Sequence, residues 1–164
     1  MIRSRPVHLA LVATLAVSAA WSCKGASVTR DWVRVAADTN YTIALDRLHI
    51  SEWEHAPVGG WDQAFEIWYR TDHTQPRLHN GDPFDREIVR AIILCDRFWF
   101  KVVSVDMVMG DSRVVARQRA SDEELNRQAW RPVARGTTEE VAAVAACDMG
   151  RQATEHVAEA ARKP

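Results

Sequence analysis

Residues 87–107, EIVRAIILCDRFWFKVVSVDM, decide the fold. Their apolar, β-branched and aromatic side chains are too dense for a surface loop, and the polar pair Asp96 and Arg97 interrupts them just after Cys95. Two strands meeting at a tight turn satisfy that pattern. Side chains on a strand alternate with period two, so Val89, Ala91, Ile93 and Cys95 share one face. Cys95 thus ends a core face and needs a partner, and the partner we assign is Cys147, far along the chain in a predicted helix. The alternative is two buried free thiols. The expected class is α+β, mainly β, closed by a disulfide.

A chain of 164 residues suits one compact domain and is short for two. Its 21 basic and 22 acidic residues nearly cancel, which excludes the global basic field of a nucleic-acid binder. At the N-terminus Arg3 and Arg5 precede an apolar run over 7–20 broken only by His8. This reads as a secretory signal over 1–22, too short for a membrane span, followed by a connector over 23–31. Ala20 and Ser22 before Cys23 suit ordinary signal peptidase. The same residues resemble a loose bacterial lipobox, with acylation of the Cys23 thiol, although Trp21 is bulky for that site. An uncleaved anchor is a third alternative. Three cysteines leave Cys23 over if Cys95 and Cys147 pair in an oxidising compartment. A bridge closing a loop of about fifty residues stabilises by roughly 4 kcal/mol in the chain-entropy account, a large share of a domain's net stability.

From the connector onward, Trp32, Val33, Val35 and Ala36 predict a first strand and residues 41–45 a second, joined by a turn at Asp38, Thr39 and Asn40. Residues 46–61 weaken into a loop marked by Pro57, Gly59 and Gly60. Phe65, Ile67 and Tyr69 alternate with Glu66, Trp68 and Arg70, predicting a third strand over 63–71. Pro76, Asn80, Gly81 and Pro83 then predict that 72–85 is the longest exposed loop. After the central pair, Met109, Gly110, Asp111 and Ser112 turn into a strand over 113–120 with Arg113, Arg117 and Arg119 on one face. Ser121 before Asp122, Glu123 and Glu124 starts a short helix that Trp130 and Pro132 end. Thr137 and Glu140 form a capping box ahead of an alanine-rich helix. There Val141, Val144 and Cys147, spaced by three, are expected to face the sheet. The main domain is assigned to 32–150; Gly150 either ends the helix or lets it run on into an extension over 151–164.

The order of these landmarks resembles the bacterial surface-adhesin protein E family of small secreted or lipidated envelope proteins. The matching residues are Trp32, Val33 and Val35, the strand from Tyr41, Trp68, Cys95 with the aromatic strand after it, then Trp130, Pro132, Gly136, Thr137, Thr138, Glu139 and Cys147. The resemblance implies an antiparallel sheet of about six strands with a C-terminal helix packed on it and tied by a disulfide. Cys95 then matches the sheet cysteine, Cys147 the helix cysteine and Cys23 a lipid-bearing cysteine. It also implies adhesion to host matrix or serum proteins, an activity that need not travel with a fold. The segment 46–63 is longer than the family pattern and richer in histidines and acids.

Candidate chemistry is sparse. His49, Glu52 and His55, spaced by three, could join zinc, with His73 and His79 as distant additions, but Pro57, Gly59 and Gly60 favour a solvated loop. Ser104 and Asp106 share a strand face and read as solvent-facing. No nucleophile elbow or phosphate loop is present in the sequence, and Glu52 with Glu54 and Glu139 with Glu140 read as surface and cap. We therefore expect no catalysis, cofactor or metal. The arginines at 113, 117, 119, 127, 131 and 135 could form a basic patch for an anionic glycan or membrane surface, or simply a solvated edge. Trp32, Trp68 and Trp99 read as core; Trp53 and Trp61 flank the long loop and are the expected partner-binding residues, with 72–85 beside them.

These features favour a noncatalytic, exported envelope protein that binds a macromolecular partner through loops at the sheet edge, anchored by lipid at the outer membrane or cell surface and otherwise periplasmic. The alternatives are a periplasmic accessory or inhibitor in envelope assembly, and a metal-dependent enzyme built on His49 and His55. An exposed edge strand leaves a homodimer open.

Overall fold

A computed structural model describes residues 29–53, 63–160 and 162. The expected signal over 1–22, Cys23, His55 and Trp61 lie outside the described residues. The chain forms β1 (Trp32–Ala37), β2 (Tyr41–Asp46), β3 (Ser51–Glu52), β4 (Ala64–His79), β5 (Asp82–Leu94), β6 (Trp99–Met109) and β7 (Arg113–Arg119). The helix α1 (Asp122–Arg127), β8 (Arg131–Pro132) and α2 (Thr138–Ala160) complete it. One antiparallel sheet runs β1-β2-β4-β5-β6-β7, with β3 extending the line of β2 along β4 and β8 extending that of β7 along β6. Among the described residues no helix is long and apolar enough to cross a membrane.

The first hairpin closes because the Asp38 carboxylate accepts from the backbone N–H groups of Asn40 and Tyr41 at 2.6 and 2.9 Å. Those two bonds hold the Asp38 carboxyl below the usual aspartate range. The expected loop over 72–85 is instead a continuation of β4 into β5. Asn80 and Gly81, at φ 52° and 91°, make a two-residue turn, and both positive angles match the twist of the flanking strands. The prolines are accommodated. Pro76 falls where the β4–β5 ladder lapses between Asp72 and Arg77. Pro83, next to the pair that closes the turn, has its nitrogen directed away from β4, and β6 pairing starts only at Arg86.

The side of the sheet under α2 is the main core. Leu45, Phe65, Ile67, Tyr69, Val89, Ala91 and Ile93 meet Ala142, Ala143, Ala146 and Cys147 there. Cys95 and Cys147 are bonded, with α-carbons 5.6 Å apart and a sequence separation of 52. The buried stripe of α2 differs from the expected one: Val144 is 44% exposed, and the alanines take its place. Steps of three fall behind the 3.6-residue turn, so Val144 rotates outward while positions 142, 143, 146, 147 and 150 stay on the sheet. Small side chains let the helix axis approach closely. At Gly150, an added Cβ would lie 2.6 Å from Cζ of Phe65, so α2 passes over that ring only because the position has no side chain. The helix does not stop there; it runs on to Ala160.

Two irregularities set what the other side of the sheet displays. On β6, Arg90 faces Ser104 and Ala91 faces Val102, leaving Val103 as the extra residue of a bulge. Phe100, Val102 and Val105 therefore pack with the α2 core, whereas Lys101 and Val103 join Ile92 on the opposite side. Ser104 is buried, not solvent-facing as expected; Asp106 pairs with Arg117 at 2.7 Å. On β7 the register slips at Val115, so Arg113 lies opposite Met109 while Arg117 and Arg119 lie opposite Asp106 and Ser104. The three arginines are thus split between faces, because the bulge reverses the alternation that sequence spacing assumes.

Candidate functional site

At the end where β5 hands over to β6, the side away from α2 is apolar. Ala64, Ile92, Leu94 and Val103 are buried there beneath Leu125, the buried residue of α1. The first turn of α1 is fixed by a reciprocal pair of bonds: Ser121 Oγ accepts from the Glu124 N–H at 3.2 Å, and the Glu124 carboxylate accepts from the Ser121 N–H at 2.8 Å. The Ser121 backbone N–H, then its hydroxyl, hold the Glu124 carboxyl below the ordinary glutamate range.

Between α1 and the sheet a cleft of about 490 Å³ remains. Trp53 and Trp130 supply its aromatic surface, Ile92 and Leu125 its buried apolar surface, and Asp122, Asn126 and Lys101 its polar groups. Lys101 is only 9% exposed. Its ammonium donates to the Leu125 carbonyl at 3.0 Å, in the last turn of α1, and stands 4.8 Å from the centroid of the Trp130 ring. Carbonyl and π-face both favour a cation, which is how a lysine is tolerated in this position. The arrangement suits a flat apolar group seated between indoles, with an acceptor directed at the remaining ammonium protons.

Of the two expected contact residues, Trp53 lines this cleft and is half-buried, held by its backbone N–H to the Ala64 carbonyl at 2.7 Å; Trp61 lies outside the described residues. The structure places Trp53 with Trp130, which the sequence marks as a helix terminator and as part of the family resemblance but not as a contact residue. Lys101 was also missed. Its signal was present, a lone cation inside the apolar run FWFKVV, but the bulge that aims it at α1 leaves no mark in the sequence. Trp99, expected in the core, is 36% exposed at the start of β6.

The histidines are dispersed. His49 Nδ1 lies 2.6 Å from the fully buried Asp46 carboxylate, Glu52 is exposed on β3, and His55 is outside the described residues. His73 packs edge-on to Phe84 with Nε2 3.6 Å from Glu87, and His79 stands beside Asn80. Among the described residues, no three His, Cys, Asp or Glu side chains gather where they could hold a metal ion.

Beyond α1 the same face carries a stack of charge and indole. Arg30 lies 3.9 Å over the Trp68 ring and 5.5 Å from Trp32, Arg70 is 5.1 Å from Trp32, and Arg90 is 5.8 Å from Trp68. Trp32 and Trp68, expected as core, are half-buried among these guanidinium groups instead. Arg90 is held by both oxygens of Glu66 at 2.8 Å, which raises its already high pKa further. Asp46 is the hub at the β2 end. Its carboxylate takes Arg30, His49 and the backbone N–H groups of Asp31 and Leu48.

No family model matches the chain, and no curated protein or solved structure matches it.

Proposed function

We propose that this chain is a noncatalytic bacterial envelope protein of the surface-adhesin protein E type, exported, held at a membrane through lipid on Cys23, and built to bind a macromolecular partner. The observation that carries the reading is the Cys95–Cys147 bond, which ties the end of the interior strand β5 to α2. Such bonds persist in oxidising compartments and are rare in reducing ones, which supports export. The Trp53–Trp130 cleft supports the binding role, since a pocket with apolar walls and a buried ammonium suits an aromatic or aliphatic anchor from a protein partner. Of the expected contact loops this reading keeps Trp53 and gives up the 72–85 segment, a paired hairpin at the opposite end of the sheet.

The test is capture of partners from envelope and host extracts by the exported chain and by a Trp53→Ala/Trp130→Ala variant whose disulfide and circular dichroism are intact. The proposal expects a specific partner retained by the parent chain and lost by the variant. Equal capture by both removes the cleft from the binding role. Fatty-acid labelling and protease shaving of intact cells place the protein: a labelled, shaved chain fits a surface protein. A protected, unlabelled chain points to the periplasmic accessory or inhibitor.

A further inference from the structure

We infer that the side of the sheet opposite α2 is a docking face for an anionic phospholipid surface, so that the protein lies with its arginine–tryptophan stack toward the membrane and α2 away from it. The inference rests in part on the lipid-anchored reading above and adds an orientation and a second, electrostatic contact; the Trp53–Trp130 cleft lies at the α1 margin of the same side, so a membrane and a cleft-bound partner compete for it.

Charge is unevenly divided between the two sides. Along α2, Glu139, Glu140, Asp148, Glu155 and Glu159 stand against Arg151, and the exposed Arg113 and Arg131 on that side of the sheet offset part of the remainder. On the open face Arg70 and Arg86 share one carboxylate, Asp72, and so leave one positive charge uncompensated. Arg34 and Arg119, both exposed, have no carboxylate within ion-pair distance among the described residues. The pairs Arg90–Glu66 and Arg117–Asp106 are neutral as units. The acids of the first turn of α1 are confined to one margin of this face, where Arg127 and Lys101 offset part of them. A chain whose total charge is close to zero therefore presents a cationic side and an anionic one. Such a charge distribution turns the cationic side toward phosphate headgroups.

The uncompensated groups are also spread out. Arg34 lies on the edge strand β1, Arg70 on β4, and Arg119 on the opposite edge strand β7. At about 4.8 Å per strand they cross roughly 24 Å of the sheet, a spacing suited to several headgroups and too broad for one small anion.

The start of the described chain points the same way. Arg30 does not run off the edge of β1; it folds back over the open face, its guanidinium stacked on Trp68 of β4, and the Asp31 N–H bonds to the Asp46 carboxylate. Six residues lie between it and Cys23, seven steps of chain with a reach of at most about 25 Å. A lipid on Cys23 would therefore lie within about 25 Å of the arginine side, close enough for the lipid and the face to engage one membrane together.

The experiment uses the full chain carrying Cys23→Ser, recovered from the periplasm, so that no acyl chain contributes. Its binding is measured by flotation with vesicles of phosphatidylglycerol and phosphatidylethanolamine, and with vesicles of phosphatidylcholine alone. The expectation is binding to the anionic vesicles only, weakened by salt. Arg34→Gln/Arg119→Gln should bind about thirty-fold more weakly, at about fivefold per arginine near the surface. Neither side chain has a described partner, so an unchanged thermal midpoint confirms the fold. Arg151→Gln/Arg162→Gln, which removes the same charge from the helix side, should bind within about twofold of the parent. Equal losses in the two variants would mean that net charge alone acts, and would overturn the proposal. So would binding to soluble dextran sulfate through Arg34 and Arg119 with none to vesicles, which would make the face a polysaccharide site. An environment-sensitive label at Val114 should report lipid contact while one at Val144 should not; the reverse contradicts the orientation. If the wild-type chain incorporates fatty acid in cells but the Cys23→Ser chain ignores anionic vesicles, this inference fails while the envelope reading stands.

Discussion

The two sides of one sheet are held by different physics. Under α2, contact is dry and depends on shape: alanines, a glycine and a disulfide bring a helix close against Phe65 and its neighbours. On the other side, arginines, carboxylates and two tryptophans form an ordered but half-exposed layer, anchored at one end by the buried Asp46. The first side makes the domain stable. The second is free to vary its interactions with whatever lies against it, because exposed ion pairs contribute little to folding and are screened by salt.

The comparison breaks most easily at its covalent point. Replacing Cys95 and Cys147 together by alanine should lower unfolding free energy by about 4 kcal/mol, read from urea curves of the oxidised chain and the variant. A loss near zero would mean that packing of α2, not the bond, holds the helix. Next in size is the hub of the open face. Asp46→Ala strands Arg30 and two backbone donors and should cost about 3 kcal/mol, more than any other single residue of that side.

Gly150→Ala should cost about 1–2 kcal/mol, since overlap with the Phe65 ring outweighs the roughly 1 kcal/mol that alanine gains in a helix. Phe65→Leu in that background should recover part of the loss, although it is destabilising by itself; this change of sign identifies the contact. Exposed pairs come lower still. Arg117→Gln should change stability by roughly 0.5 kcal/mol or less, and the effect should fade at high salt.

Acid should loosen the two sides unequally. The folded chain depresses the Glu124 and Asp38 carboxyls, so their contributions are complete above the ordinary carboxylate values and are lost as pH falls through the lowered ones. The cap of α1 and the β1–β2 turn should therefore weaken at acid pH while the α2 side, whose brace does not titrate, persists. Amide exchange across α1 and α2 at successive pH values checks the order. Simultaneous opening would argue against two separable sides.

How far the sequence revealed this division follows from what each side requires. The dry side was largely legible: period-two apolar runs marked β4, β5 and β6, the capping residues Thr137 and Glu140 located the start of α2, and Cys95 ended a core face. The alanine stripe was misjudged because valine was given more weight than rotation about the helix. Asn80-Gly81 was read as a loop breaker although it is a strong short hairpin signal; the polar residues on either side of it, with Pro76 and Pro83, obscured it. On the open side, the cleft depends on the bulge at Val103 and on residues distant in sequence, and a second bulge divides the arginines of β7. Lys101 faces α1 and Arg113 parts from Arg117 because of single inserted residues, and alternation rules assume that none are present.

The central claim is that a bond formed after export joins the sheet to α2. The direct measurement is intact mass of the chain recovered from the cell envelope, alkylated first without and then with reductant. The account predicts that Cys95 and Cys147 stay unmodified until reduction and that both then react. Alkylation of both before reduction would contradict it.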